Sequence, residues 1–183
     1  LRSVEEILDQ EALLSKEILD FLFWSANYYH HPLGEVLASA LPKNLRQGKP
    51  AVIKKISTHK NTTSPCTFGA TTEQKKAIKA VLKSENNFHG FLLHGVTGSG
   101  KTEVYLSITQ TMLKKGKQVL VLVPEIGLTP QMITRFEDRI EAKVVAVHSQ
   151  LNETQKLDAY LMAKTGEAGV VLGTRSAIFT PMP

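Results

Sequence analysis

The most constraining feature of the sequence is the run GVTGSGKT, in which glycine, four free positions, glycine, lysine and a hydroxyl residue follow one another. This spacing is the phosphate-binding loop pattern, which requires a strand before it and a helix after it. Its glycines let successive backbone N–H groups point at one anion, and the positive end of the helix dipole adds to the same point. The loop residues predicted to bind a polyphosphate are Gly95, Val96, Thr97, Gly98, Ser99, Gly100, Lys101 and Thr102.

The segments on either side of this loop fit the pattern. Residues 91–94 form a short apolar run, and we expect a buried strand there. Val104, Ile108 and Met112 recur at helical spacing and predict a helix that ends near a basic stretch and a glycine at position 116. Within the loop, Lys101 is expected to reach the outer phosphates and Thr102 to complete the coordination of Mg²⁺.

Size and composition set the class of protein. With 183 residues and 42% hydrophobic content, the chain is long enough for one packed domain or somewhat more. We expect a cytoplasmic protein, because the sequence has no membrane-length apolar segment and no charged-then-apolar leader. The single cysteine, Cys66, predicts neither an internal disulfide nor a metal cluster. A net charge of +5 favours a polyanionic partner, although a plain basic surface also explains it. A first residue other than Met and an end just after an apolar run suggest a piece of a longer chain.

Residues 1–42 have a helical pattern, with Ser15 as an expected N-cap and Pro32 as a break. Positions 18, 21, 22, 25 and 29 fall on one helix face, flanked by Trp24 and Tyr28. We expect this stripe to be core, with base stacking by the aromatic residues as the alternative. Residues 43–70 contain no Asp or Glu and are predicted to be a basic linker, in which a short strand at 51–53 could form. The same linker could also follow a nucleic-acid backbone.

From residue 71 the pattern predicts an α/β domain. Thr71 and Gln74 form a capping-box pattern before an apolar stripe at positions 77, 78, 81 and 82. Apolar strands are expected at 119–123, 144–147 and 169–172, and a helix begins at Thr129 with Pro130 in its first turn. Four strands separated by helices, counting 91–94, predict a parallel sheet with helices on both faces. Ligands bind at the carboxyl ends of such strands, so the loops after them are expected to share one edge.

Four segments together resemble the first helicase lobe of the primosomal protein N′ (PriA) family of replication-restart helicases. They are GVTGSGKTEVY from residue 95, VPEIGLTPQ from 123, HSQL from 148 and GTRSAIF from 173. Residues 1–51, with YYHHPLG and LRQGKP, resemble the end of that family's N-terminal DNA-binding domain and the start of a connector. The resemblance implies a partial RecA-like lobe of a superfamily 2 motor that uses ATP and Mg²⁺ and moves 3′ to 5′ on DNA. It also implies action at stalled or branched forks, with primosome and single-strand-binding proteins as partners.

The resemblance also implies roles for individual residues. Gln74 matches the glutamine that reads adenine, while Lys101 and Thr102 hold phosphate and Mg²⁺, and Glu103 completes the nucleotide site. The loops that would grip the DNA backbone contribute hydroxyls, N–H groups and one arginine, Arg175, as expected of a grip that ignores sequence. The residues predicted to contact DNA are Pro124, Glu125, Thr129, Gln131, His148, Ser149, Thr174, Arg175 and Ser176.

The sequence departs from the family pattern in three places. No apolar strand is followed by the Asp-Glu pair that holds Mg²⁺ and orients water, so this piece is expected to bind ATP but hardly hydrolyse it. Residues 52–69 are too few for the family's winged-helix domain. The second motor lobe and the paired-cysteine zinc module are also absent, so zinc is expected only elsewhere in the family's chain. Two alternatives stay open: a small-molecule or nucleotide kinase, and a non-catalytic module that binds DNA or a partner and retains a vestigial nucleotide site.

Overall fold

A computed structural model of the chain describes residues 12–48, 69–84 and 87–183. Its helices are α1 (Lys16–Tyr28), α2 (Leu33–Ala40), α3 (Lys43–Arg46), α4 (Thr72–Lys83), α5 (Lys101–Lys114), α6 (Pro130–Arg139) and α7 (Glu153–Lys164). Its strands are β1 (Val119–Leu122), β2 (Lys143–Val147) and β3 (Ala168–Gly173), and short 3₁₀ turns occupy Glu125–Gly127 and Arg175–Phe179. In these ranges no helix is long and apolar enough to cross a membrane.

The strands form one parallel sheet in the order β1-β3-β2. Val170 of the central strand pairs with Val119 on one side and with Val144 on the other. Each crossover contains a helix, as parallel connections require. β3 is apolar on both faces because it is covered on both, and its residues 170–172 are fully buried.

Helices cover both faces of this sheet, which confirms the predicted α/β class. On one face Met162 and Ala163 of α7 pack with Val171 and Val145. On the other face the apolar residues of α5 and α6 pack with the two remaining apolar residues of β3; this cluster contains Leu106, Phe136, Ile140, Val170 and Leu172. Alternate residues of β3 therefore serve opposite cores, as the pleat of a strand requires.

The predicted strand at 91–94 is wrong for this structure. These residues have no regular secondary structure, and Leu92 is 91% exposed. An apolar run becomes a strand only where a neighbouring strand pairs with its backbone N–H and C=O groups. Among the described residues the sheet has three strands, and none of them pairs with residues 91–94. The hydrophobic run is therefore present without the partner that would order it.

The predicted helix starts are confirmed. Ser15 Oγ accepts from Ile18 N, and Thr129 Oγ1 accepts from Met132 N with Pro130 in the first turn. The capping box at Thr71 forms in both directions. One detail differs: the stripe of α4 at positions 77, 78, 81 and 82 is only half-buried, because of the described elements it packs mainly against α5.

The N-terminal helices pack on α7, which has a second buried face. Leu22 and Leu45 belong to one cluster with Leu157 and Tyr160 of α7. The Tyr160 hydroxyl donates to Leu13 O at 3.0 Å. Because Leu45 of α3 is buried in this core, the predicted linker at 43–70 begins with a packed helical turn. Residues 49–68 of that linker, including Cys66 and the proposed strand at 51–53, lie outside the described residues.

The predicted core face of α1 is confirmed except at Tyr29. Leu22 and Ser25 are buried, and Ile18 and Phe21 are half-buried. The aromatic residues beside this face are exposed, with Trp24 51% exposed, Tyr28 62% and Tyr29 70%. Trp24 stacks on Tyr28 with ring centroids 4.8 Å apart.

Candidate nucleotide site and DNA-contact edge

The phosphate loop has the backbone conformation that its glycines predict. Gly98 has φ 83° and Gly100 has φ 79°, both in the left-handed region that favours glycine. Gly100 is the N-cap of α5, so the helix begins directly at Lys101. A side chain at position 100 would also fall on the Gln74 amide nitrogen. The loop therefore presents the N-terminal end of a 14-residue helix to whatever it encloses.

The ammonium group of Lys101 lies across the start of this loop. Its Nζ donates to Gly95 O at 2.7 Å and to Val96 O at 2.8 Å. Because an ammonium has three donors, one proton remains for a ligand beside the loop. Thr102, the proposed Mg²⁺ ligand, is half-buried in the first turn of α5.

Gln74 links the capping of α4 to the phosphate loop. Its Oε1 accepts from Thr71 N at 2.9 Å, and its Nε2 donates to Ser99 O at 3.2 Å. The sequence suggested that one glutamine could both cap its helix and take part in the nucleotide site. The structure shows the cap and places the amide against the loop backbone; adenine recognition stays a prediction.

Glu103 makes a different contact from the one predicted. Its carboxylate accepts from Arg139 Nη2 at 2.9 Å and from Arg135 Nη2 at 3.0 Å, so it joins the first turn of α5 to α6. Gln110 Nε2 also donates to Arg139 O at 2.5 Å. Sequence reasoning missed these two arginines, although their spacing of four residues already placed them on one face of a helix. We therefore leave the Glu103 side chain out of the proposed nucleotide-binding set.

The loops that follow the three strands meet at one edge, as predicted. Val123 N donates to Gly173 O at 2.9 Å, and Thr174 N donates to Val147 O at 3.2 Å. These bonds continue the sheet for one residue beyond the strands. They place Pro124, His148 and Arg175 within neighbouring loops.

The first of these loops presents its polar groups to solvent. Pro124 and Glu125 begin a 3₁₀ turn, and both are exposed. Thr129 and Gln131 are exposed in the loop end and first turn of α6. The Thr129 hydroxyl accepts from the helix and keeps its own proton for an external acceptor.

The other two loops differ in exposure. Ser149, Arg175 and Ser176 are exposed and His148 is half-buried. Thr174 is only 5% exposed. Its N donates to Val147 O at 3.2 Å and its O accepts from Ala177 N at 2.9 Å, so its backbone holds the start of the turn, and a contact of Thr174 with DNA stays a prediction. Arg175 Nη2 lies 3.4 Å from Glu125 Oε1, with 91% of the Arg175 side chain exposed. Exposed ion pairs of this kind contribute little, and the guanidinium is therefore free to exchange partners.

Two family models match the chain. The model described as Type III restriction enzyme, res subunit, matches residues 67–182. The chain belongs to this family. The model described as 3′DNA-binding domain (3′BD) of PriA matches residues 1–42, which coincides with the predicted N-terminal segment.

Curated relatives support the resemblance to PriA. Replication restart protein PriA of Haemophilus influenzae is 32% identical over 98% of this chain and 34% of that protein. The Synechocystis protein of the same name is 54% identical over 62% of this chain and 14% of that protein. The Treponema pallidum protein is 34% identical over 99% of this chain and 27% of that protein. This chain is thus a PriA homologue that spans about a seventh to a third of the length of these relatives.

The alignments also differ in length. The Treponema pallidum alignment covers 181 residues and 99% of this chain, so it contains almost no inserted positions. The Haemophilus influenzae alignment is 252 residues long for 98% of this chain, about 70 positions more than this chain supplies. The length of this chain is therefore matched by one relative, whereas the other has additional positions within the aligned region.

Proposed function

We propose that this chain is the nucleotide-binding and DNA-contacting part of an ATP-dependent DNA helicase of replication restart. The family match and the PriA relatives support this function. In the whole protein, the proposed function comprises 3′ to 5′ movement on DNA, recognition of stalled or branched forks and recruitment of primosome and single-strand-binding proteins. The proposed location is cytoplasmic.

The phosphate loop carries the ATP part of the proposal. Positive φ at Gly98 and Gly100, together with an ammonium that keeps a free donor, fits an anionic group. In this proposal residues 95–100 enclose the phosphates, Lys101 holds the outer ones and Thr102 contributes a ligand to Mg²⁺. Gln74 pairs with adenine. The metal ion neutralises charge on the phosphates when it is bound.

We propose that this chain binds ATP without turning it over efficiently. Phosphoryl transfer depends on positioning and electrostatics, including a carboxylate that orients the attacking water. Among the described residues, β1 is followed by Val123 and Pro124, β2 by His148 and β3 by Thr174, so no strand is directly followed by a carboxylate. Of the carboxylates nearby, Glu125 lies 3.4 Å from Arg175, and Glu103 is bound by two arginines.

The strand-end loops carry the DNA part of the proposal. Backbone N–H groups, exposed hydroxyls and one arginine are typical of a grip on phosphates that does not read bases. The proposed contacts are Pro124, Glu125, Thr129, Gln131, His148, Ser149, Arg175 and Ser176, with Thr174 positioning the turn. Glu125 takes part through its backbone and through its pairing with Arg175, since a carboxylate itself repels phosphate.

The test compares this chain with Lys101→Ala and with the control Lys114→Ala, an exposed lysine at the opposite end of α5. Mg-ATP binding is measured by calorimetry, and phosphate release is followed with and without forked DNA. A charge-assisted contact contributes about 1.5–3 kcal/mol, so Lys101→Ala should weaken binding roughly 10- to 150-fold. Lys114→Ala should leave the affinity unchanged.

Three outcomes are distinguishable. Lys101-dependent binding with little phosphate release supports the proposal. Brisk DNA-stimulated release would contradict the claim of inefficient turnover. No ATP binding by the unsubstituted chain would favour a non-catalytic module that binds DNA or a partner; the detached segment 91–94 at the entry to the loop is the observation that favours this alternative.

A further inference from the structure

A cavity lies between the N-terminal helices and the DNA-contact edge. It has a volume of about 270 Å³. One wall comes from residues 38–43 and Arg46, and the other comes from the strand-end loops and α7. Its apolar floor includes Val147, Tyr160 and Phe179. It is separate from the phosphate loop, none of whose residues lines it.

The polar lining of this cavity is basic and rich in hydroxyls. The cations are Lys43, Arg46 and Lys156. The hydroxyls include Ser149, Ser176 and Thr180, whereas those of Ser39 and Tyr160 already donate to the backbone. Glu153 is the one carboxylate of the lining, so three cations face one anion. Glu153 Oε1 lies 3.0 Å from Lys156 Nζ. The hydrogen bond from Lys156 and the backbone N–H and charge of Lys43 lower the pKa of Glu153, so this carboxylate faces two of the three cations and the lining keeps an excess of positive charge.

The cavity is continuous with loops that the proposed function already assigns to DNA. His148, Ser149 and Ser176 belong both to its lining and to the proposed phosphate grip. A DNA strand bound along the sheet edge would therefore reach Lys43 and Arg46 directly after the proposed phosphate grip. Small-molecule sites usually occupy about 300–1,000 Å³, so the cavity suits a single nucleotide unit rather than a larger ligand.

We propose that this cavity binds a phosphodiester group of single-stranded DNA and extends the DNA path from the sheet edge onto the N-terminal helices. Lys43 and Arg46 supply the charge, and Ser149, Ser176 and Thr180 supply hydroxyl donors. The inference rests on the proposed DNA grip and adds two contacts to it. It also gives the N-terminal segment a role that depends on its packing against α7.

The experiment measures the affinity of this chain for an end-labelled oligothymidylate at several salt concentrations. Each phosphate contact adds about 0.7 to the slope of log K against log salt for a single strand. The double variant Lys43→Gln/Arg46→Gln should lower the slope by about 1.4. Lys114→Gln, which removes one positive charge at the C-terminal end of α5, should leave the slope unchanged. Arg46→Lys should retain the slope, because it keeps the positive charge. This variant loses the hydrogen bond from Arg46 Nε to Leu41 O at 3.3 Å, so it also shows whether that bond matters for DNA binding.

The outcomes separate this inference from the proposed function. If Arg175→Ala lowers the slope but Lys43→Gln/Arg46→Gln does not, the cavity is excluded and the sheet-edge grip stands. If Lys114→Gln lowers the slope as much per charge as the double variant, the effect is general electrostatics and the inference fails. Absence of binding by the unsubstituted chain overturns both. Thermal melts check folding, and Lys156→Gln on α7 gives a second test of the lining, with an expected slope decrease, if the double variant is unfolded.

Discussion

The junction between α5 and α6 gives a quantitative prediction, because one carboxylate serves two arginines in different surroundings. Glu103 and Arg139 are 19% and 18% exposed in their side chains, whereas Arg135 is 54% exposed. Hydrogen bonds to charged groups contribute about 1.5–3 kcal/mol when they are sheltered. Exposed pairs contribute about 0.2–1 kcal/mol. We therefore expect most of the coupling energy in the Glu103–Arg139 contact, although both distances are near 3 Å.

Two double-mutant cycles measure this difference. Alanine replaces Glu103 and Arg139 singly and together in one cycle, and Glu103 and Arg135 in the other. The free energy of unfolding is obtained from urea denaturation followed by circular dichroism. The expected coupling energies are about 1.5–3 kcal/mol for Arg139 and below about 1 kcal/mol for Arg135. For a chain of this size, each kcal/mol shifts the melting temperature by about 2–4 °C.

The Arg135 cycle is the internal control, since it uses the same carboxylate and the same substitution. A coupling to Arg135 that equals or exceeds the coupling to Arg139 would refute the argument from burial. Coupling energies near zero in both cycles would show that the contact does not hold α6 to α5. A large value with Arg139 would mean that α5, after the phosphate loop, and α6, after the loop that follows β1, are energetically linked.

Three further predictions use other parts of the structure. Arg175→Ala should weaken DNA binding equally for all sequences and lower the salt slope by about 0.7 on single strands or 0.9 on duplex; an unchanged slope would assign Arg175 to a structural pair. Gly100→Ala should cost about 1–2 kcal/mol of stability and weaken ATP binding, because its φ is positive and the new methyl meets Gln74. Gly90→Ala, which meets nothing within 4 Å, is its control in urea unfolding. Burial raises the pKa of Tyr160 to about 12, so the folded chain keeps a proton that the unfolded chain loses near pH 10. Stability should fall as the pH rises from about 10 to about 12, and Tyr160→Phe should remove this decrease, as measured by unfolding at several pH values.

Local signals in the sequence predicted local structure well. The caps at Ser15, Thr71 and Thr129 depend on residues within one helical turn, so the local sequence is sufficient to predict them. The positive φ values of Gly98 and Gly100 follow from the loop pattern in the same way. The three strands of the sheet were also predicted from their composition, because a strand that is buried on both faces is a nearly continuous apolar run.

Features that depend on distant partners were not predictable in this way. Residues 91–94 are apolar enough for a strand, but a strand needs a paired neighbour, which the described sheet does not provide. Periodicity identified the buried face of α1, with Leu22 and Ser25, but not the exposure of Tyr29 at its end. Similarly, the basic composition of residues 43–48 suggested solvated linker, whereas Leu45 is buried in a core formed with a helix more than one hundred residues later in the chain.

The double-sided burial of α7 has a mechanical consequence. One side of this helix lies in the core beneath the sheet, and the other lies in the core with α1, α2 and α3. Close-packed interiors transmit displacement rather than absorb it. A force on a DNA strand bound at the sheet edge would therefore be transmitted through α7 to the N-terminal helices. In a motor built on this arrangement, the N-terminal segment would move together with the lobe and would not swing on a hinge of its own.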